Sequence, residues 1–512
     1  MEQPSDTENT TAIQQEEQGA SPPEPPQEES MNPNQDILAK EIQSYDDQTI
    51  NPALIAEWTE SFENDPQKRL AQNTMTKAAM ADVLIPRAAR VAPQHVFNKA
   101  IPQEAKVTDQ KGTGRCWMFA AVNALRLDVI RKFNLDADFE LSHSYLYFWD
   151  KLERANFFLD QMVATAEEPL DGRLVQFLLS DTNLMNDGGQ WDMLVNLVQK
   201  YGVCPKAAMP ESKTTERSLH MNRFLRNVLR GFAGELRELA AGGAPLEQVE
   251  GRKAEMLRQV HSVLLIHLGT PPTAFDWEFR DKSKAPQALR GLTPQAFYRE
   301  HCAWDVAAYV SLVHDPRHPF YAAYTVERLG NVVGGRGVLY LNLPIDELKR
   351  YAAATIDRGD AVWFGCEVGK EFDREGGVLD HEIHDYQLVY GLQPRMSKAE
   401  RLRLGESCMT HAMLLTAYDR RPGDALPWKW RVENSWGEKS GHKGYLLMTD
   451  GWFDEFLFQI CVRRDLLDAR AAAALPAGAG GAAPPPTPLP PWDPMGTLAA
   501  RGGGAAAAAA RL

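Results

Sequence analysis

The period at which apolar residues recur changes along this chain, and that change constrains the fold more than any single residue does. After Cys116, Met118, Phe119, Val122, Leu125 and Val129 follow at helical steps, one face of an amphipathic helix. In NDGGQWDMLVNLVQKYGV (186–203), Trp191, Leu194, Val195 and Val198 form a second stripe, and Gly202 stands where a left-handed helix-ending residue belongs. From 211 to about 310, Leu and Val recur among Arg and Glu with few strand signals, which predicts a helical insertion. Strand-like runs follow: VLYLNL from 338, AVWFGCEV from 361, HAMLLTAYD from 411, WKWRVENSW from 428 and KGYLLMT from 443. Helices first and strands later predict an α+β fold of two lobes with a site between them.

The domain boundaries follow from the same reading. Residues 1–33 form an acidic tail, expected to be disordered. Residues 34–210 form a helical lobe, 211–337 the insertion, 338–468 a β-rich lobe, and 469–512 a low-complexity linker and a Pro-rich arm. The first thirty residues hold eight acids and no Lys or Arg, unlike a secretory signal or an Arg-rich transit peptide. Of the net charge of −14, the body carries −6 with no basic block, which gives nucleic-acid binding no support. No run nears the roughly 18 apolar residues of a membrane span. Six scattered cysteines without a C-x-x-C pair read as reduced thiols, and the expected compartment is the cytoplasm. HEIH (381–384) has two histidines but no third ligand, so neither metal nor cofactor is expected.

Three separated segments carry chemistry when read together: QKGTGRCW (110–117), MTHAMLL around His411, and WRVENSWGEKSGHKGY around Asn434. A cysteine at a helix start is more often core packing than chemistry. With a histidine and an asparagine elsewhere, a nucleophile becomes the better reading. Helix-end N–H groups and a neighbouring imidazolium favour the thiolate of Cys116. His411 would hold that thiolate as an ion pair and return its proton to the leaving amine. Asn434 would orient His411, and the Gln110 side chain with the Cys116 backbone N–H would receive the oxyanion.

The order Gln-x5-Cys-Trp, His, Asn-Ser-Trp-Gly resembles the papain-like cysteine peptidases. QKGTGRCWMFAAVNALR, NDGGQWDMLVNLVQKYGV, GESCMTHAMLLTAYD, WRVENSWGEKSGHKGY and LPPWDPMGTLA narrow the resemblance to the bleomycin hydrolase, or aminopeptidase C, group over residues 34 to about 500. The resemblance implies a two-lobe papain-like fold, with a helical lobe, a β-barrel-like lobe, a large helical insertion and a C-terminal arm in the cleft. It implies Cys116 as nucleophile, His411 as general acid/base, Asn434 as its orienting partner and Gln110 in the oxyanion hole. Gly188 and Gly189 match a cleft-lining, substrate-binding pair, or equally make a tight turn before a helix. Trp436 is expected to shield the His–Asn hydrogen bond. The implied activity is that of a cysteine aminopeptidase acting on peptides and small amides, bleomycin and homocysteine thiolactone among them. The implied assembly is a homohexamer, and the group also includes nucleic-acid binders. The alternatives are an endopeptidase or acyl transferase with altered exopeptidase restraint, and a silent peptide- or nucleic-acid-binding assembly.

The tail departs from the group. RGGGAAAAAARL (501–512) follows the point where relatives end, and at about 3.3 Å per extended residue it spans some 40 Å. Either the enzyme trims its own tail to near Ala500, or the displaced carboxylate weakens exopeptidase selectivity. Trp492, inside the Pro-rich arm, is a candidate anchor. Self-trimming makes the intact mass of the wild type lower than that of Cys116→Ala by the tail residues. Retention of Leu512 in both proteins contradicts it.

Overall fold

The computed structural model describes residues 50, 52–91, 94–476 and 484–496. The acidic tail 1–33 and the extension 501–512 lie outside the described residues. By compactness the chain divides into Met1–Gln72 and Asn73–Leu512. The first unit contributes the helix Pro52–Glu63 and the start of Pro66–Met75, neither of which buries a side chain. All that follows concerns the second unit.

Its helical part is built from α1 (Cys116–Lys132), α2 (His143–Ala164), α3 (Arg173–Leu179), α4 (Trp191–Tyr201), α5 (Leu219–Ala241) and α6 (Leu246–Leu268). The expectation of an amphipathic α1 fails: 14 of its 17 residues are buried, so it has no solvent face. The helix is enclosed by α2 and α4 and by the central sheet. A helix covered on nearly every side belongs inside a protein, and the single stripe in the sequence understated this one. α4 fits the expectation better, with Trp191, Leu194, Val195 and Val198 all buried. Gly202 ends it at φ +72° and ψ −159°, a positive φ but outside the compact left-handed helical well.

The sheet forms from β1 (Lys99–Ala100), β4 (Tyr309–Val313), β5 (Ala322–Val326), β6 (Tyr340–Asn342), β7 (Val362–Cys366), β8 (Phe372–Asp373), β9 (Val378–Leu379), β10 (His411–Asp419), β11 (Lys429–Glu433), β12 (Tyr445–Thr449), β13 (Leu457–Arg463) and β14 (Thr487–Leu489). Their order is β14-β5-β6-β4-β13-β7-β10-β11-β12-β9-β8, with β1 added on β10. All of β7 and the first eight residues of β10 are buried, as in strands covered on both faces. α1 and α7 (Ile345–Asp357) both pack on these two strands. The register His411↔Cys366 sets the start of β10 against the end of β7.

Five expected strands are present, and the insertion is corrected. α5 and α6 fill residues 219–268, but β2 (Phe275–Arg280) and β3 (Pro286–Leu292) pair as a hairpin. Phe275 and Trp277 point inward, a two-residue alternation that the surrounding charges obscured. β4 and β5 also lie within 211–337, yet they belong to the central sheet.

Part of the linker is helical, Ala469–Ala473, capped by Asp468. The arm then runs as β14 parallel to β5. Trp492 does act as an anchor, since the Arg173 guanidinium lies 3.9 Å from its ring centroid and Phe177 meets it edge-on. Asp493 accepts from Arg317 at 2.8 Å, and the Met495 carbonyl accepts from the Tyr340 hydroxyl at 3.1 Å. The described arm ends at Gly496, so an arm in the cleft concerns residues outside those described.

Two glycines give a paired expectation. A Cβ on Gly202 would lie 2.2 Å from the Pro294 carbonyl oxygen, whereas Gly231, inside α5, faces open space. Gly202→Ala is expected to destabilise by about 2 kcal/mol or more. Gly231→Ala gains helix propensity of up to about 1 kcal/mol. Thermal midpoints falling for the first and holding or rising for the second bear this out. The opposite order contradicts the packing described.

Candidate active site

Cys116 begins α1 behind an Arg115 cap that supplies no side-chain hydrogen bond. The backbone N–H groups of Cys116 and Trp117 therefore face the sulfur, joined by the N–H of Ala412 from β10. The Sγ–H is directed at the Gly114 carbonyl, 3.9 Å away. Cys366, the register partner of His411, lies close enough to interact electrostatically with Cys116. The nucleophile candidate thus meets the sheet at the step where β10 begins.

His411 and Asn434 come together across 23 residues. Asn434 Oδ1 lies 2.9 Å from His411 Nε2 and also accepts from Ser435 N at 2.8 Å. The Ser435 N–H can only donate, so Oδ1 is the acceptor there and His411 Nε2 carries the proton. Nδ1 is then the basic nitrogen of the neutral ring. The Trp436 ring lies 4.9 Å from the imidazole, centroid to centroid, and Arg374 stands 5.6 Å from the indole. Asn434 Nδ2 is buried with no hydrogen-bond partner among the described residues.

Gln110 reaches the same place through backbone pairing. Its N–H donates to the Ser435 carbonyl at 2.8 Å, Gly437 N donates to Thr108 O at 3.0 Å, and Asp109 bridges Trp436. This short pairing stitches the loop before Cys116 to the segment after Asn434. Gln110 Oε1 accepts from Ser435 Oγ at 2.6 Å, and Nε2 donates to Thr113 O at 2.6 Å. An amide nitrogen has two hydrogens, so one donor of Gln110 remains.

Burial governs the electrostatics. It pushes the Cys116 thiol up to about 11, against the three backbone N–H groups. It pulls the His411 imidazole down to about 4; the Asn434 hydrogen bond opposes this and Arg374 reinforces it. The expected lowering of the thiol therefore fails in sign, because desolvation outweighs the helix-end donors. Among the described residues no direct hydrogen bond joins thiol to imidazole, and burial disfavours the charged form of each, which favours a neutral pair over the expected ion pair.

The glycine pair sits between two demands. The Gly188 carbonyl accepts from Arg154 and its N–H donates to Asn186 Oδ1 at 2.7 Å. A Cβ on Gly189 would lie 2.6 Å from the Trp117 ring, so packing against the residue after the nucleophile requires this glycine.

Several contributors are given no role by the sequence alone. Ser435 holds Gln110 by both side chain and backbone. Arg126, ten residues along α1, pairs at 3.0 Å with Glu433, the residue before Asn434, and both are buried. Arg115 pairs with Glu211 at 2.9 Å and donates to Thr215 O at 2.6 Å. Asp187 receives the Trp117 indole N–H on its carbonyl at 2.7 Å. The NSWG wording contains Ser435; the others become visible only once the chain is folded.

Glycine at 189 is tested directly. Gly189→Ala must displace the Trp117 ring, and we expect it to destabilise the fold by about 2 kcal/mol or more, read as a fall in thermal midpoint. An alanine variant with an unaltered midpoint contradicts the packing role.

Known proteins resemble this chain along most of its length. The Peptidase C1-like family model matches residues 49–496. Bleomycin hydrolase of Homo sapiens is 48% identical over 459 residues, covering 88% of this chain and 99% of that protein. Aminopeptidase C of Streptococcus thermophilus is 41% identical over 442 residues, covering 86% and 97%. The crystal structure of PepW from Lactobacillus rhamnosis superposes with a TM-score of 0.83 at 40% identity, covering 88% and 99%. A match over this much of the chain, on a fold that gathers Cys116, His411, Asn434 and Gln110, makes the protein a member of the Peptidase C1-like family.

Proposed function

We propose that the chain is a cysteine aminopeptidase in which Cys116 is the nucleophile and His411 its acid/base partner. The class rests on kinship with bleomycin hydrolase and aminopeptidase C along nearly their whole length. The assignment of roles rests on one observation above the rest, the hydrogen bond from His411 Nε2 to Asn434 Oδ1 beside the start of α1. It fixes the tautomer that places a lone pair on Nδ1.

The chemistry follows from the protonation of the pair. With the thiol near 11 and the imidazole near 4, the two groups hold one proton between them across the intervening pH range. Moving that proton from Sγ to Nδ1 creates no net charge in the buried site, and the N–H groups of Cys116, Trp117 and Ala412 face the resulting thiolate. Sγ attacks the substrate carbonyl carbon, and the C=O electron pair moves to oxygen. The second Gln110 amide hydrogen supports that oxyanion. His411 gives its proton to the leaving amine as the C–N bond breaks, which leaves a thioester. Water, deprotonated by His411, completes hydrolysis. The Gly188–Gly189 backbone lines the approach for the acyl part. Peptides with a free N-terminus are the main substrates in this reading. Bleomycin and homocysteine thiolactone fit because one acyl transfer opens both amide and thioester bonds.

Turnover of aminoacyl fluorophores with free and blocked N-termini tests the class. We expect the free form to be cleaved and the blocked form to be cleaved at least tenfold more slowly. Equal rates would identify an endopeptidase, and no turnover of the free form would overturn the assignment. Asn434→Ala is expected to cost about 10²-fold in kcat through loss of imidazole orientation. For the pH profile, His411 is lowered, so its damaging protonation occurs only as pH falls through about 4; Cys116 is raised, so thiol loss occurs only near 11. The profile of kcat/KM is therefore expected to be flat from 6 to 9 with its acid limb near 4. A limb between 6 and 8 contradicts the buried neutral pair.

A further inference from the structure

The stretch LMNDGGQW (184–191) delivers the glycine pair, and its one carboxylate does more than turn the chain. Asp187 is buried, and its two oxygens are shared among three parts of the protein. From α2, Lys151 Nζ approaches Oδ1 at 2.7 Å and Tyr147 donates to the same oxygen at 2.8 Å. From α5, Asn222 Nδ2 donates to Oδ1 at 2.7 Å and Ser218 Oγ donates to Oδ2. From the loop before the nucleophile, Gly114 N donates to Oδ2 at 3.3 Å. The Asp187 carbonyl takes the Trp117 indole at 2.7 Å.

Two independent features show that this junction is built. Ser218 is the N-cap of α5, a position whose hydroxyl ordinarily accepts from its own helix. Here it makes no such bond and is turned on Asp187 instead. Met185, two residues before Asp187, is buried at φ +53°, a left-handed conformation that an L side chain rarely adopts. Lys151 donates to the carbonyls of Met185 and Asn186 at 3.2 and 2.8 Å and holds that turn in place. Burial works against the Asp187 carboxylate, yet Lys151, Ser218 and Asn222 keep it below the usual carboxylate range.

We infer that Asp187 is a positioning residue through which helix α5 sets the loop carrying Gln110 and Gly114 and the Gly188–Gly189 backbone, so that the insertion helix tunes turnover without touching substrate. The inference rests on the proposed aminopeptidase reading. Other contacts run the same way: Gly112 N donates to Glu216 O at 3.0 Å, and Arg115 is held by Glu211 and Thr215. The junction bears on the substrate side of Cys116. The thiol–imidazole side is set by β10 and Asn434, so the two sides are separable by experiment.

The test uses the full chain. Asp187→Asn leaves Lys151 buried opposite an amide and is at risk of not folding, so the informative variant is Ser218→Ala/Asn222→Ala, which keeps the Asp187–Lys151 pair. Its kcat on a free aminoacyl fluorophore and the rate and pH profile of Cys116 alkylation by iodoacetamide are measured together. We expect kcat to fall about 10- to 100-fold, with alkylation within twofold of wild type. Ser218→Thr, which retains the hydroxyl, is expected to keep wild-type turnover. Unchanged kcat in the double variant overturns the inference. So does a parallel loss of turnover and alkylation, which marks a general structural role. Absence of turnover in the wild type is a failure of the aminopeptidase reading instead.

Discussion

The burial of α1 on all sides is the constraint on which this molecule depends. A helix with 14 of 17 residues out of solvent needs apolar cover from every direction, and α2, α4, β7 and β10 supply it. Covering α1 places its first residue against the first residues of β10, and His411 opens that strand. The site is in this sense a by-product of packing: the nucleophile and its histidine meet because a core helix has to be closed over by a sheet. Trp363 marks the seam, since its indole N–H donates to the Trp117 carbonyl at 3.0 Å and ties β7 to the first turn of the helix.

The same burial sets the chemistry. All six cysteines are buried, so exposure does not single out Cys116. Cys204, Cys302, Cys366 and Cys461 are also pushed up by desolvation; Cys366 stands opposite His411 in the sheet, but no backbone N–H offsets the burial of its thiol as three do at Cys116. What distinguishes Cys116 is a proton acceptor within the same dry site and backbone donors aimed at its sulfur. In such a site a separated charge is costly, and an internal proton transfer that conserves net charge is less so.

Much of this was legible in the sequence, for identifiable reasons. β7, β10 and α4 announced themselves because residues buried on both faces read as long apolar runs. Cys116, His411, Asn434 and Gln110 were legible because their residue types and order leave few other uses. β13 and the β2–β3 hairpin were not, since the partners of LFQICVR lie far away in sequence and FDWEFR mixes charge with apolar residues. The roles of Asp187, Arg126 and Glu433 were illegible for a deeper reason. A buried charge has meaning only through its partner, and these partners come from 36, 307 and 307 residues away. The sign of the thiol shift was misjudged because helix-end donors can be inferred locally, whereas desolvation depends on the whole packed core.

The most direct measurement is mass mapping of the folded protein after reaction with an aminoacyl fluoromethyl ketone bearing a free N-terminus. The account requires one label per chain, located on Cys116, and its loss on His411→Ala. Labelling of another cysteine, or stoichiometric labelling of Cys116 without His411, would contradict the claim that this buried pair is what makes one cysteine out of six reactive.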